Sequence, residues 1–149
     1  MKVGFYTVYR KDPQHYILAA QLIKSVRETM PGVEIVHLTD ETSPAVHGAD
    51  KIVRLPNGKM LERRLEHYAS CGGEWLLLDT DVLVKTDVQG VFAEEFDVAL
   101  TDRYWAHLPQ SSDVWASMPF NTGVVFTRSM PFWKAVLDDW CSVGENDWL

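Results

Sequence analysis

The sequence predicts an α/β fold: a three-layer α/β/α sandwich built on a mostly parallel sheet. Two observations carry that prediction. Short runs of β-branched, aromatic or wholly apolar residues recur at 2–9, 33–39, 51–55, 74–78, 96–101 and 121–128. Amphipathic helical patterns lie among them at 14–30, 59–71 and 131–143. Strands interspersed with helices favour parallel pairing, because a parallel crossover needs a connection long enough to hold a helix.

The first strand, Lys-Val-Gly-Phe-Tyr-Thr-Val-Tyr over 2–9, is rich in side chains that fit a pleated, buried surface. After a loop at 10–13, Ile17, Leu18, Leu22, Ile23 and Val26 recur at helical spacing until Pro31-Gly32 ends the pattern. The runs at 33–39 and 51–55 are the second and third strands, joined by a turn-rich loop. In the second helix Leu61, Leu65 and Tyr68 share a face, Glu62, Arg63, Glu66 and His67 lie elsewhere, and Gly72-Gly73 stops it. The run at 74–78, ending in Leu76-Leu77-Leu78, has the continuous apolar character of a strand buried on both faces of a parallel sheet. A short strand is expected at 82–84, and Asp87 after it reads as a turn or helix cap before 88–92. The strand at 96–101, a polar and aromatic loop over 102–119, the strand at 121–128 and the last helix complete the order. No repeat or linker interrupts it, so one domain over 1–149 is expected, as suits a chain within the usual range of about 100–200 residues.

Composition narrows the function classes. With 46% hydrophobic and 23% charged residues, the chain reads as folded and not as disordered. A net charge of −7 argues against nucleic-acid binding, which needs a cationic surface to displace phosphate counterions. An anionic ligand would need help from a metal or a few placed cations. The first residues lack the apolar core of a signal peptide, and no apolar run approaches the roughly 20 residues that span a bilayer. No membrane span and a cytoplasmic location are therefore expected. Cys71 and Cys141 have no zinc-site spacing and read as buried thiols. His15, His37, His47, His67 and His107 show no metal-ligand spacing and read as surface or partly buried structural residues.

In an open α/β sheet the ligand crevice lies beyond the carboxyl ends of the strands. Leu76-Leu77-Leu78 delivers Asp79 and Asp81 to such an end. Two residues apart on an extended backbone, their side chains leave the same face and reach one ion. Hard divalent cations accept carboxylate and phosphate oxygens, and need only one or two protein carboxylates when a substrate supplies the rest. A diphosphate fits that description. Taken alone, so short a pattern is also that of a turn cap after a buried strand.

The flanking residues say more. The run WLLLDTDVLVKTDVQGVF over 75–92 and the run FNTGVVF over 120–126 occur together, with Tyr16 and Ser25 in the first helix and Trp133 in the last. Over most of residues 2–140 this pattern resembles the glycogenin-like and lipopolysaccharide galactosyltransferase-like glycosyltransferases of the GT-A, nucleotide-diphospho-sugar transferase fold. The resemblance implies a Rossmann-like sheet and a metal-dependent transferase of the hexosyltransferase type. Such an enzyme moves a sugar from a nucleotide-diphosphate sugar, usually a UDP-sugar, to an acceptor, which this sequence does not identify.

By that resemblance Asp81 coordinates Mn²⁺ (or Mg²⁺) directly, while Asp79 divides its oxygens between metal and ribose, with Thr80 between them. Thr7, Val8 and Tyr9 are expected against the nucleobase and ribose, although Thr7 and Tyr9 read equally well as a sheet-end hydroxyl and a core aromatic. Arg63 or Arg64 is expected near the nucleotide, Arg64 being nearer the buried edge; either also reads as a solvated helix charge. Asn121, grouped with Asp79 and Asp81 as catalytic, would contact sugar hydroxyls, with Thr122 beside it and Gly123 allowing close backbone approach. The plain alternative is an Asn that opens a strand and a Gly that packs. Asp102 and Arg103 would meet donor-sugar or acceptor hydroxyls. The family's third metal ligand is a histidine beyond the Asn-Ser/Thr-Gly region, and none follows His107. The remaining ligands are thus expected from diphosphate, water or residues not in this chain, and the domain is expected to lack part of the acceptor-binding region.

Two other classes fit parts of the pattern. Apolar residues leading to D-x-D also open haloacid-dehalogenase-like phosphatases, with Asp138-Asp139 as a late acidic pair. That motif normally follows the first strand, and here 78 residues precede Asp79. A non-catalytic nucleotide- or carbohydrate-binding remnant of the transferase fold could instead use Trp105, Trp115, Trp133, Trp140 and Trp148 as an aromatic platform or oligomer contact.

Overall fold

The computed structural model describes residues 1–9, 13–102 and 120–143. Six strands make one sheet: β1 (Lys2–Tyr6), β2 (Glu34–Asp40), β3 (Lys51–Leu55), β4 (Trp75–Leu78), β5 (Val98–Asp102) and β6 (Phe120–Thr127). Their order across the sheet is β3-β2-β1-β4-β6-β5. The first four are parallel to one another, and β6 runs antiparallel to both β4 and β5. The sheet is thus mostly parallel, with one reversed strand between β4 and β5.

Among the described residues three helices accompany it: α1 (Gln14–Thr29), α2 (Met60–Ala69) and α3 (Met130–Val143). Strand periodicity decides which residues meet which helix. Val3, Phe5, Ile35, Leu76 and Leu78 pack with Ala19, Leu22, Ile23 and Val26 of α1. The alternate residues Val36, Leu38, Leu77 and Val125 pack on the other face with Leu65 and Tyr68 of α2 and Trp133 of α3. Each fully buried Leu, Ile or Phe contributes about 1.5–3 kcal/mol relative to exposure, so these two clusters dominate the fold's stability. Trp133 is 3% exposed, sits edge-on to Tyr68 and donates its indole N–H to the Thr127 hydroxyl at 3.0 Å. Its role is in the core, not in an aromatic platform. Trp140 packs on the same cluster, while Trp105, Trp115 and Trp148 lie outside the described residues.

Three local expectations need correction. Residues 82–84 do not form a strand. Val82 and Val84 pack on the α1 core while Leu83 is 56% exposed, so the alternation of burial is real, but the Val84 amide donates to the Ser25 hydroxyl (3.1 Å) and not to a neighbouring strand. The chain next turns through a short 3₁₀ segment at Gln89–Ala93, whose Phe92 is buried. Asp87 sits before it and accepts from the Gln89 amide at 2.8 Å. Secondly, Cys141 is exposed; only Cys71 is a buried thiol, and burial pushes its pKa up to about 12. Thirdly, β1 ends at Tyr6, so Thr7, Val8 and Tyr9 are loop and not strand. No helix among the described residues is long and apolar enough to cross a membrane.

Candidate nucleotide-sugar site

Parallel strands leave their carboxyl ends on one edge of the sheet. At β1 the chain order changes direction, with β2 paired to one side and β4 to the other. This switch point is where open α/β sheets hold ligands. A cleft of about 600 Å³ opens there, lined by Tyr6, Thr7 and Val8 after β1, by Gln14, His15 and Leu18 of α1, by Met60, Leu61 and Arg64 of α2, and by Asp79, Thr80 and Asp81 after β4.

The backbone of Asp79-Thr80-Asp81 is not extended, as the sequence suggested, but turned. The Asp79 amide still donates to the Gly123 carbonyl at 2.9 Å, as in the ladder with β6, and the Val82 amide then closes back on the Asp79 carbonyl at 3.2 Å. Asp79 continues the alternation of Trp75 and Leu77 and so faces α2. There the Arg64 guanidinium donates to Asp79 Oδ1 at 2.5 Å and to the Thr122 carbonyl at 3.3 Å. Its Nε–H donates to the Tyr68 hydroxyl at 2.7 Å, and the guanidinium lies 5.3 Å from that ring's centre. Burial on its own would lower the Arg64 pKa, but Tyr68 and Asp79 outweigh it and the pKa is raised, so Arg64 stays a cation.

Gly123 explains the rest of the Asp79 setting. A Cβ there would lie 3.2 Å from Asp79 Oδ2 and 3.0 Å from Asn121 Oδ1, so only glycine lets the carboxylate and the amide settle against the strand. Asn121 Oδ1 accepts from the Gly123 amide at 2.8 Å. The pairing of β6 with β5 skips from Val125 to Asn121 at the junction of Leu100 and Thr101, while Val124 stays paired with Leu78. This irregularity leaves Thr122 and Gly123 unpaired with β5, beside Asp79, as bulges next to sites commonly do.

The wall after β1 is of another kind. The Thr7 carbonyl accepts from the Thr39 hydroxyl at 2.6 Å and from His37 Nε2 at 3.3 Å. His37 Nδ1 accepts from the Val46 amide at 3.3 Å, which fixes the neutral tautomer with its proton on Nε2. Burial lowers the His37 pKa from 6.5 to about 4. The Tyr9 amide donates to the Ser43 hydroxyl at 2.7 Å, and its half-exposed ring meets Tyr16 edge-on.

Known structures share this fold. No protein-family model matches the chain, and no curated protein matches it. Among solved structures, the glycosyltransferase GlyE of Streptococcus pneumoniae TIGR4 superposes with a TM-score of 0.67 at 18% identity, over 98% of this chain. The galactosyltransferase LgtC, solved with donor and acceptor sugar analogues, gives 0.65 at 16% identity over 96% of this chain. A glycosyltransferase that acts in glycosylation of the PBCV-1 major capsid gives 0.54 at 18% identity over 99%. The fold is that of the GT-A glycosyltransferases. The chain spans 38% of the length of GlyE and 63% of that of LgtC.

Within this GT-A fold, the cleft brings together Thr7, Val8, Arg64, Asp79, Thr80 and Asp81. Asn121, Thr122 and Gly123 stand behind Asp79 and do not line it. Tyr9 points to Tyr16 instead. Arg63, one residue and about 100° of helix from Arg64, turns away to pair with Glu66 and, at 3.9 Å, with Glu62. Asp102 ends β5, and Arg103 lies outside the described residues. Tyr6, Gln14, His15, Leu18, Met60 and Leu61 also line the cleft without having been singled out from sequence. Gln14 and His15 open α1 directly after the β1 loop, a position that the crevice rule would have flagged.

Among the described residues no three His, Cys, Asp or Glu side chains come together to hold an ion. The donors here are therefore Asp79, whose Oδ1 is already taken by Arg64, and the exposed Asp81. This set fits a hard cation that draws the rest of its shell from a bound phosphate ligand, as Mg²⁺ does.

Proposed function

We propose that the chain is the nucleotide-sugar-binding part of a metal-dependent glycosyltransferase that takes its sugar from a UDP-sugar. The observation that carries this reading is the meeting of Arg64, Asp79 and Asp81 at the switch-point cleft of a GT-A fold. One fixed cation and two carboxylates match a diphosphate that arrives with a divalent ion. In this reading Asp79 and Asp81 hold Mn²⁺ or Mg²⁺, and Asp79 also faces the ribose. The ion would neutralise charge growing on the departing nucleoside diphosphate. Arg64 keeps Asp79 oriented and offers its remaining N–H groups to phosphate oxygens. Thr7 and Val8 form the wall against nucleobase and ribose, and the apolar Leu18, Met60 and Leu61 limit water around the diphosphate. Asn121 acts from behind Asp79, through the Gly123 amide.

Calorimetric titration with UDP, UDP-glucose and UDP-galactose, with and without Mn²⁺, tests the reading. Binding that needs Mn²⁺ and is lost in Asp81→Asn supports it. Sugar binding with no nucleotide requirement would point instead to a carbohydrate-binding remnant, and phosphate-ester hydrolysis without UDP binding to a phosphatase.

A further inference from the structure

Arg64 reaches Asp79 at the end of a long, flexible stem, and such a side chain holds one geometry only if something fixes it from behind. Tyr68 stands in that place. It follows Arg64 by four residues on α2 and so shares its helix face. Its ring is 1% exposed and locked edge-on against Trp133 at 5.0 Å, which is itself tied to Thr127. Its hydroxyl accepts the Arg64 Nε–H at 2.7 Å, leaving the far end of the guanidinium for Asp79 Oδ1 at 2.5 Å and the Thr122 carbonyl. Gly123 closes the opposite side of the carboxylate, at Oδ2. Asp79 is thereby held between a guanidinium and a bare backbone.

We propose that Tyr68 is a positioning residue of this site, acting through Arg64 to fix the orientation in which the Asp79 carboxylate meets a cation or nucleotide. The proposal rests on the transferase reading for what Asp79 binds, but the Tyr68–Arg64–Asp79 relay itself is a property of the free protein. Tyr68 and Asp79 share no hydrogen bond among the described residues, and the hydrogen-bonded path between them runs through Arg64.

Two measurements on the full chain separate these parts. In titrations with UDP and Mn²⁺, Tyr68→Phe keeps the ring and its packing, and should weaken Mn²⁺-dependent UDP affinity by about tenfold, the scale on which supporting residues act on metal sites. The same substitution made in an Arg64→Gln background should cost nothing further. In urea denaturation without ligand, a double-mutant cycle of Tyr68→Phe and Asp79→Asn should show a coupling of about threefold or more in the folding equilibrium, absent when Arg64 is Gln. Wild-type affinity in Tyr68→Phe, or an equal loss with and without Arg64, overturns the positioning role while leaving the transferase reading intact. A wild-type chain that binds no UDP with Mn²⁺ ends the transferase reading and the functional half of this proposal. Absence of ligand-free coupling ends the relay itself.

Discussion

The ends of β1 and β4, neighbours in the sheet, form adjoining walls of one cleft, but their polar groups are held in different ways. After β1 the Thr7 carbonyl and the Tyr9 amide are tied to neutral partners: Thr39, His37 and Ser43. After β4 a guanidinium and two carboxylates meet at the surface, with Asp79 and Arg64 paired and Asp81 exposed. A neutral, internally bonded wall presents shape and stays rigid. A charged one presents ligands that a cation and a phosphate can exchange. In the proposed transferase reading, base and ribose recognition falls to the first and diphosphate chemistry to the second.

The charged wall should give the largest effects on binding. Asp81→Asn removes an exposed carboxylate and is expected to lower Mn²⁺-dependent UDP affinity by more than about 100-fold, beyond what supporting residues cost. Its urea midpoint should stay near wild type, because Asp81 makes no ion pair among the described residues. Arg64→Gln leaves the Asp79 charge without its partner, and calorimetry should show UDP affinity reduced roughly 10–100-fold, the worth of a charged hydrogen bond. Equal affinity in that variant would erase the distinction between the walls.

The neutral wall should instead reveal itself in stability against pH. Above 6.5 His37 is neutral in both the folded and the unfolded chain, so it has no effect on stability there. As pH falls from 6.5 towards 4 the unfolded chain takes up a proton that the buried ring refuses, and stability drops by up to roughly 3 kcal/mol. Urea midpoints across that range, with the His37 ring followed by NMR, check both the sign and the window. A stability that rises on acidification would contradict the neutral tautomer.

Smaller still, Gly123→Ala should press a methyl group on Asp79 and Asn121, costing about 1–3 kcal/mol of stability together with some UDP affinity. Arg63→Gln should change UDP affinity little and stability by about 0.5 kcal/mol or less. Arg63 thus serves as the control one residue away from Arg64.

Much of the fold was legible because buried strands and amphipathic helices write their periods directly into the sequence. Leu76-Leu77-Leu78 read as a strand covered on both faces, and α1 indeed fills one face while α2 and α3 fill the other. Residues 82–84 misled because packing on a core produces the same alternation as a strand, and only the absent ladder distinguishes the two. The choice between Arg63 and Arg64 was beyond one sequence, since both lie on α2 and only the position of β4 decides which reaches an acid. The same limit left open whether Asp79-Thr80-Asp81 continues the strand or caps a turn, since its geometry depends on the ladder to Gly123. Asn121 read as a sugar contact because its amide is chemically suited to one, or plainly as an Asn that opens a strand, and its oxygen accepts from the Gly123 amide near the start of β6.

The reversed strand carries one more consequence. Because β6 runs against β4 and β5, it starts at the edge where both of them finish. Asp102 leaves the sheet and Phe120 rejoins it at that one rim, so both junctions of the intervening segment are anchored at the cleft side. A single change of strand direction therefore gathers the end of β5, the start of β6 and the turn after β4 on one rim of the sheet.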